Sequence, residues 1–138
     1  MKKKKWLIPI MTSAIACIII GIITLIILYF SPKTFLYEVE PRDVKSISVF
    51  NGSTGKSFTI ENEDDIKYIV ENIQGIEMKR GNISSNYNGF SYVMTFNGTD
   101  GKIIDSFIIN SEDTIRDDPF FYRCNGGLCF DYLKSLEK

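Results

Sequence analysis

Histidine is absent from the sequence. The chain therefore lacks the commonest metal ligand and the commonest general base at neutral pH. Cysteine is scarce, with three residues in 138. No Cys-x-x-Cys pair is among them, so neither a thioredoxin-type redox motif nor a zinc site can be assembled. No catalytic or cofactor motif is recognisable, and no catalytic residue, cofactor site or metal site is assigned. Acidic residues are missing from the first thirty positions, and the stretch from Trp6 to Phe30 has no charge of either sign.

That uncharged stretch, WLIPIMTSAIACIIIGIITLIILYF, organises the rest. As a helix it would be about 37 Å long, against a hydrocarbon core of about 30 Å. A bilayer-spanning helix over 6–30 is expected, with the lipid bilayer as its partner. Lys2, Lys3, Lys4 and Lys5 sit at one end, whereas the other flank has Lys33, Glu38 and Glu40. The positive-inside rule places the N-terminus in the cytoplasm and the remainder outside the cell membrane. Trp6 and Tyr29 stand where interfacial aromatics belong.

Two rival readings use the same residues. A cleaved signal peptide has an apolar core of about 7–15 residues and a small-x-small cleavage site. Here the run is longer and ends on Leu28-Tyr29-Phe30. A lipoprotein would be anchored through Cys17, because Ser13-Ala14-Ile15-Ala16-Cys17 resembles a lipobox. Thirteen further uncharged residues follow that cysteine, where a polar tether would be expected. A retained signal-anchor fits the stretch best.

After the span come twelve of the 16 Lys+Arg and all 17 Asp+Glu, a net charge of about −5. Nucleic acid is an unsuitable partner for such a surface. The organisation expected is a basic N-terminus (1–5), a transmembrane helix (6–30), a juxtamembrane linker (31–42) and one extracytoplasmic domain (43–138). The linker, with Phe35, Tyr37 and Val39 alternating between Pro32 and Pro41, reads as an extended tether or edge strand.

Within the domain, Val44–Phe50 and Lys56–Ile60 flank an Asn/Gly turn and form a hairpin. Asn62 caps a helix over about 63–74, with Glu63, Asp64 and Asp65 in its first turn and Ile66, Ile69, Val70 and Ile73 as an apolar stripe. Capping accounts for this acidic group, which lacks the spacing of a calcium loop. Gly75 suits a left-handed ending. A short strand at 76–80 and a polar loop at 81–89 follow. Then comes a longer hairpin: Phe90, Tyr92, Met94 and Phe96 share one face of its first strand, and Ile103, Phe107 and Ile109 one face of its second. Short strands are possible at 114–116 and 120–123, and a helix at 131–138 closes the chain. The fold class is α+β: an N-terminal transmembrane helix, then a mostly antiparallel sheet in the order ββα-βββ(β)α with helices on one face.

Cys124 and Cys129 flank Asn-Gly-Gly-Leu, and a two-residue turn at Gly126-Gly127 would set them opposite each other as a candidate disulfide. Tyr87, Phe120, Phe121 and Tyr122 are the aromatics least obviously owed to a core; exposed, they form a candidate binding surface, against the competing reading that at least two of the four pack in the core. Asp113, Asp117 and Asp118 make a looser acidic group.

The KKKK-plus-span start, NGSTGKSFTI, ENEDDIKYIVENI, GFSYVMTF, IIDSFIINSEDTIR and DYLKSLE together resemble a group of small membrane-anchored extracytoplasmic proteins of low-GC Gram-positive bacteria, whose shared domain has no assigned activity. The resemblance covers most of 44–138 and implies no site residue. The function expected is a non-enzymatic binding or interaction domain at the cell envelope, with an envelope protein or ligand as partner. The alternatives are a small carboxylate-dependent envelope hydrolase, the Cys17-anchored lipoprotein, or a subunit whose role lies in the span itself.

Overall fold

The computed structural model describes residues 4–138, with side chains from residue 8 onward. Lys2, Lys3 and the side chains of Lys4, Lys5 and Trp6, on which the expected orientation leans, lie outside the described residues. The chain divides into two units, residues 1–31 and 32–138.

The first unit is helix α1 (Lys4–Phe30), with Pro9 near its start. Its segment Ile8–Phe30 has 23 residues and a mean hydropathy of 2.8, long and apolar enough to cross a membrane. The few hydroxyls are satisfied within the helix: Thr12 donates to the Pro9 carbonyl, Ser13 to Ile10 and Thr24 to Ile20. A helix surrounded by hydrocarbon has to meet its polar groups in this way. Cys17 lies inside this helix, well short of its end.

The second unit is a seven-stranded antiparallel sheet with helices packed on one face. Its elements are β1 (Val44–Asn51), β2 (Ser57–Ile60), α2 (Glu63–Gln74), β3 (Lys79–Ile83), β4 (Tyr92–Gly98), β5 (Ile103–Ser111), β6 (Thr114–Asp117), β7 (Phe120–Arg123) and α3 (Phe130–Leu136). The strand order is β2-β1-β4-β5-β6-β7-β3. One row of paired residues crosses six strands: Asn51, Tyr92, Ile109, Ile115, Tyr122 and Arg80. Its first five members are buried, which fixes the helix-covered face as the core side. Strand alternation then assigns every neighbouring residue to the other face.

Helix α2 matches its expected bounds. Asn62 accepts from the Asp64 and Asp65 amides, and Ile66, Ile69, Val70 and Ile73 are buried. Helix α3 lies beside it. The Tyr68 and Tyr132 rings are 4.3 Å apart, and the Tyr132 hydroxyl donates to Asp65 at 2.6 Å.

Several local expectations are corrected. Residues 31–42 join the fold, as a segment lying against the domain would, with Phe35 and Leu36 buried and Lys33 making a two-bond bridge with Met78, but they are not extended. The alternation of Phe35, Tyr37 and Val39 fails because Leu36 and Glu38 have φ of 57° and 66°, turning the chain sharply. Gly75 is right-handed (φ −74°), because α2 ends on a tight bond from the Ile76 amide to the Ile73 carbonyl. The strand expected at 76–80 forms instead at Lys79–Ile83, where pairing with β7 outweighs the poor strand propensity of Gly81 and Asn82. Ile103 is 65% exposed, because a register shift after Phe96 turns it outward and brings Ile104 in.

The expected Cys124–Cys129 disulfide is absent, and both are free thiols. The hairpin that would have joined them does not form. The Cys124 amide bonds the Asp113 carbonyl and the Leu128 amide bonds Glu112, so both limbs face the β5–β6 turn rather than each other. Cys129 stands at the start of α3 in the core, where burial pushes its thiol up to about 12.

Candidate functional site

Within residues 32–138, helices α2 and α3 pack on the core face of the sheet and not on its second face. One row of that second face is Thr59, Ser48, Thr95 and Ser106, an uncharged hydroxyl ladder. The Thr95 and Ser106 hydroxyls are 3.2 Å apart, and the Asn97 amide donates to Ser46 and Ser48. The next row is Ser57, Phe50, Val93, Ile108, Arg116 and Phe121. Such a face can remain in water because its hydroxyls and short side chains lose little by exposure.

The segment 84–91 is tied to this face. Ser84 is its fixed point: fully buried, its amide donates to the Pro119 carbonyl at 2.8 Å and its hydroxyl to Asp118. Arg116 donates to Asp118 from Nε (2.7 Å) and Nη2 (3.0 Å), and from Nη1 to the Tyr87 carbonyl at 2.8 Å. One planar guanidinium thus joins β6 to the loop, using the fork geometry that makes arginine suitable for bidentate pairing. The Arg116 and Ser84 hydrogen bonds hold the Asp118 carboxyl below its usual value. At the far end of the segment, the Phe90 ring packs on Phe50 with centroids 5.9 Å apart. Phe90 is therefore not on the core face, as its alternation with Tyr92 suggested. A Cβ on Gly52 would come within 2.3 Å of its ring, so glycine at 52 is what admits it.

Of the four expected surface aromatics, two meet. Tyr87 is half-exposed and packs edge-on to Phe121, with centroids 5.2 Å apart. Phe120 turns toward the core, half-buried, with the Arg80 guanidinium 4.8 Å from its ring centroid. Tyr122 is a correction: at 5% exposure it is a core residue, because its partner on β6 is Ile115.

Tyr87 and Phe121 stand at the edge of an open groove of about 520 Å³, shared with Asn82, Asn86, Asn110 and Arg123. Ser111 and Thr114 also reach it, and both donate to Asp113 at 2.6 Å, which lowers that carboxyl's pKa. A larger groove of about 620 Å³ runs between the start of α2 and the segment 40–45. Its rim carries Glu40, Glu61, Glu63, Asp64 and Glu71 against Arg42, Lys45 and Lys67; Glu40 pairs with Arg42 and Glu71 lies near Lys67, and the excess acids are those of the α2 start. Among the described residues no cluster of side chains could hold a metal ion.

Elsewhere, Glu137 accepts from Asn51 (2.6 Å), Thr54 (2.9 Å) and Tyr92 (3.1 Å), fastening the C-terminus to the β1–β2 turn. Its carboxyl is lowered by these bonds, led by that from Asn51, whereas burial and the Glu137 contact push the Tyr92 hydroxyl up to about 12. The parts of this site that sequence reasoning missed are Ser84, Arg116 and Asn110; Asp118 was noted only as one of a looser acidic group, not as their partner. Alternation does put Phe50, Asn110 and Arg116 outward, which is the one signal they offer. No protein family, curated protein or solved structure matches the chain.

Proposed function

We propose that the chain is a single-pass, membrane-anchored binding protein of the bacterial cell envelope, in keeping with its resemblance to Gram-positive proteins. Helix α1 is the anchor, the N-terminus is cytoplasmic, and residues 32–138 stand outside. The observation that carries the binding reading is the second face of the sheet, where a clamped loop presents Tyr87 beside Phe121 over a groove. Aromatic side chains fixed beforehand at a partly exposed site are the usual anchors of recognition. A carboxylate-dependent hydrolase would need a general acid with a raised pKa. Asp113, Asp118 and Glu137, each tied into hydrogen bonds, are lowered, which is the opposite direction for these three.

A photo-crosslinking amino acid placed at position 87 of the full-length protein, in intact cells, tests both parts. Externally added protease should remove a C-terminal tag and spare an N-terminal one. Irradiation should give adducts at position 87 and none at position 131, on the exposed side of α3. A protected C-terminal tag would reverse the topology, and equal yields at 87 and 131 would remove the binding reading.

A further inference from the structure

The groove on the open face can be read for the chemistry it would accept. Asn82, Asn86 and Asn110 line it with side-chain amides, Ile83, Tyr87 and Phe121 bring apolar surface, and among the described residues Arg123 is its one cation. Among the described residues no carboxylate lines it, which disfavours a metal ion or a cationic peptide. A phosphate or carboxylate ligand would call for several cations or a helix N-terminus, and Arg123 stands alone. The walls are mixed, with Ile83, Tyr87 and Phe121 beside the asparagines, so a wholly apolar ligand would leave the amides without partners.

What remains is a ligand that donates and accepts many hydrogen bonds, carries no net charge, and shows an apolar C–H face. An asparagine amide is both donor and acceptor, so it can serve a hydroxyl or an acetamido group in either sense. The electron-rich face of an aromatic ring attracts the slightly positive C–H edge of a pyranose. We propose that this groove is a saccharide site, taking a short neutral chain of hexoses or N-acetylhexosamines. The assignment rests on the binding reading above and names its ligand.

A further observation supports it. The ring of Tyr87 is set before any ligand arrives. Phe121 meets it edge-on, Arg116 fixes its carbonyl, and Gly89 lies so close that a Cβ there would be 2.9 Å from the tyrosine oxygen. A prearranged ring loses little further freedom on binding. The groove volume of about 520 Å³ falls within the range of small-ligand pockets, roughly 300–1,000 Å³.

Saturation-transfer-difference NMR on the full-length protein in lipid nanodiscs provides the test, with triacetylchitotriose and maltotriose as separate probes. The expected result is transfer to the pyranose ring protons of at least one probe. That signal should fall at least tenfold in Tyr87→Ala and in the exposed-site variant Asn86→Ala. Transfer to triacetylchitotriose alone would assign N-acetylhexosamines, and transfer to maltotriose alone would assign plain hexoses. No transfer to either probe, or transfer unchanged in both variants, would overturn the saccharide assignment. Crosslinks at position 87 in intact cells would in that case still support a binding domain with a different ligand. Loss of both signals would reject the two readings together.

Discussion

The two faces of the sheet are written by the same strands, residue by residue in alternation. On one, Ile47, Val49, Met94, Phe96 and Ile109 are covered by α2 and α3 and have almost no contact with solvent. On the other, Ser48, Phe50, Thr95 and Ser106 face outward, and the segment that carries Tyr87 and Phe90 crosses it. The covered face holds the fold through buried area, which needs no particular partner geometry. The open face is held by directional contacts: the Arg116 fork, the buried Ser84 hydroxyl and two ring pairs. Removing buried atoms leaves a cavity and costs the whole fold, whereas losing a partly exposed directional contact costs less and acts locally.

The comparison breaks most visibly at α2. Ile69 is fully buried, and Ile69→Ala should cost about 2–5 kcal/mol, whereas Lys67→Ala should stay within about 0.5 kcal/mol. Denaturant melts of the full-length protein would measure both. Equal melts would mean that the covered face does not carry the stability.

A smaller effect is expected at the clamp. Arg116→Ala removes three hydrogen bonds. Because Asp118 is more than half exposed, the loss should be about 1 kcal/mol. Hydrogen exchange should rise at 84–91 and stay unchanged in β1 and α2. A global rise would show that the loop is integral to the core.

The clamp also titrates. The folded-state pKa of Asp118 lies below that of the unfolded chain, so its contribution is full above the ordinary carboxylate range. It fades as pH falls through the depressed value. The melting difference between wild type and Asp118→Asn should therefore be constant from neutral pH to about pH 5 and shrink below about pH 4. A difference that grew on acidification would contradict the sign. At the bottom of the scale, Ser48→Ala in the exposed hydroxyl ladder should change stability by no more than about 0.5 kcal/mol.

The covered face was largely legible from residue order. The α2 stripe repeats at helical spacing over two turns, and the strand alternation of Tyr92, Met94 and Phe96 is unbroken. The open face was not, because its organisation is made of contacts between distant positions. Phe90 continues the alternation of β4 in sequence, and only the space left by Gly52 takes it to the other side. Ser84 reads as an ordinary loop serine until Asp118 and Pro119 are brought beside it. Cys124 and Cys129 show the opposite error. Their local spacing suggested a hairpin, and a nonlocal contact with Glu112 and Asp113 prevented it. Tyr87 and Phe121 were singled out for being hard to place in a core, whereas Tyr122, next to Phe121, belongs to the core row.

The division of labour between the faces is tested most directly by one variant read in two ways. Tyr87→Ala in the full-length protein, reconstituted in nanodiscs, would be assayed for thermal stability and for saccharide binding. The account predicts a melting temperature within about 2 °C of wild type, since a half-exposed loop ring contributes little to the fold, together with loss of the binding signal. A melting temperature lowered as far as that of Ile69→Ala, or a binding signal left intact, would contradict it.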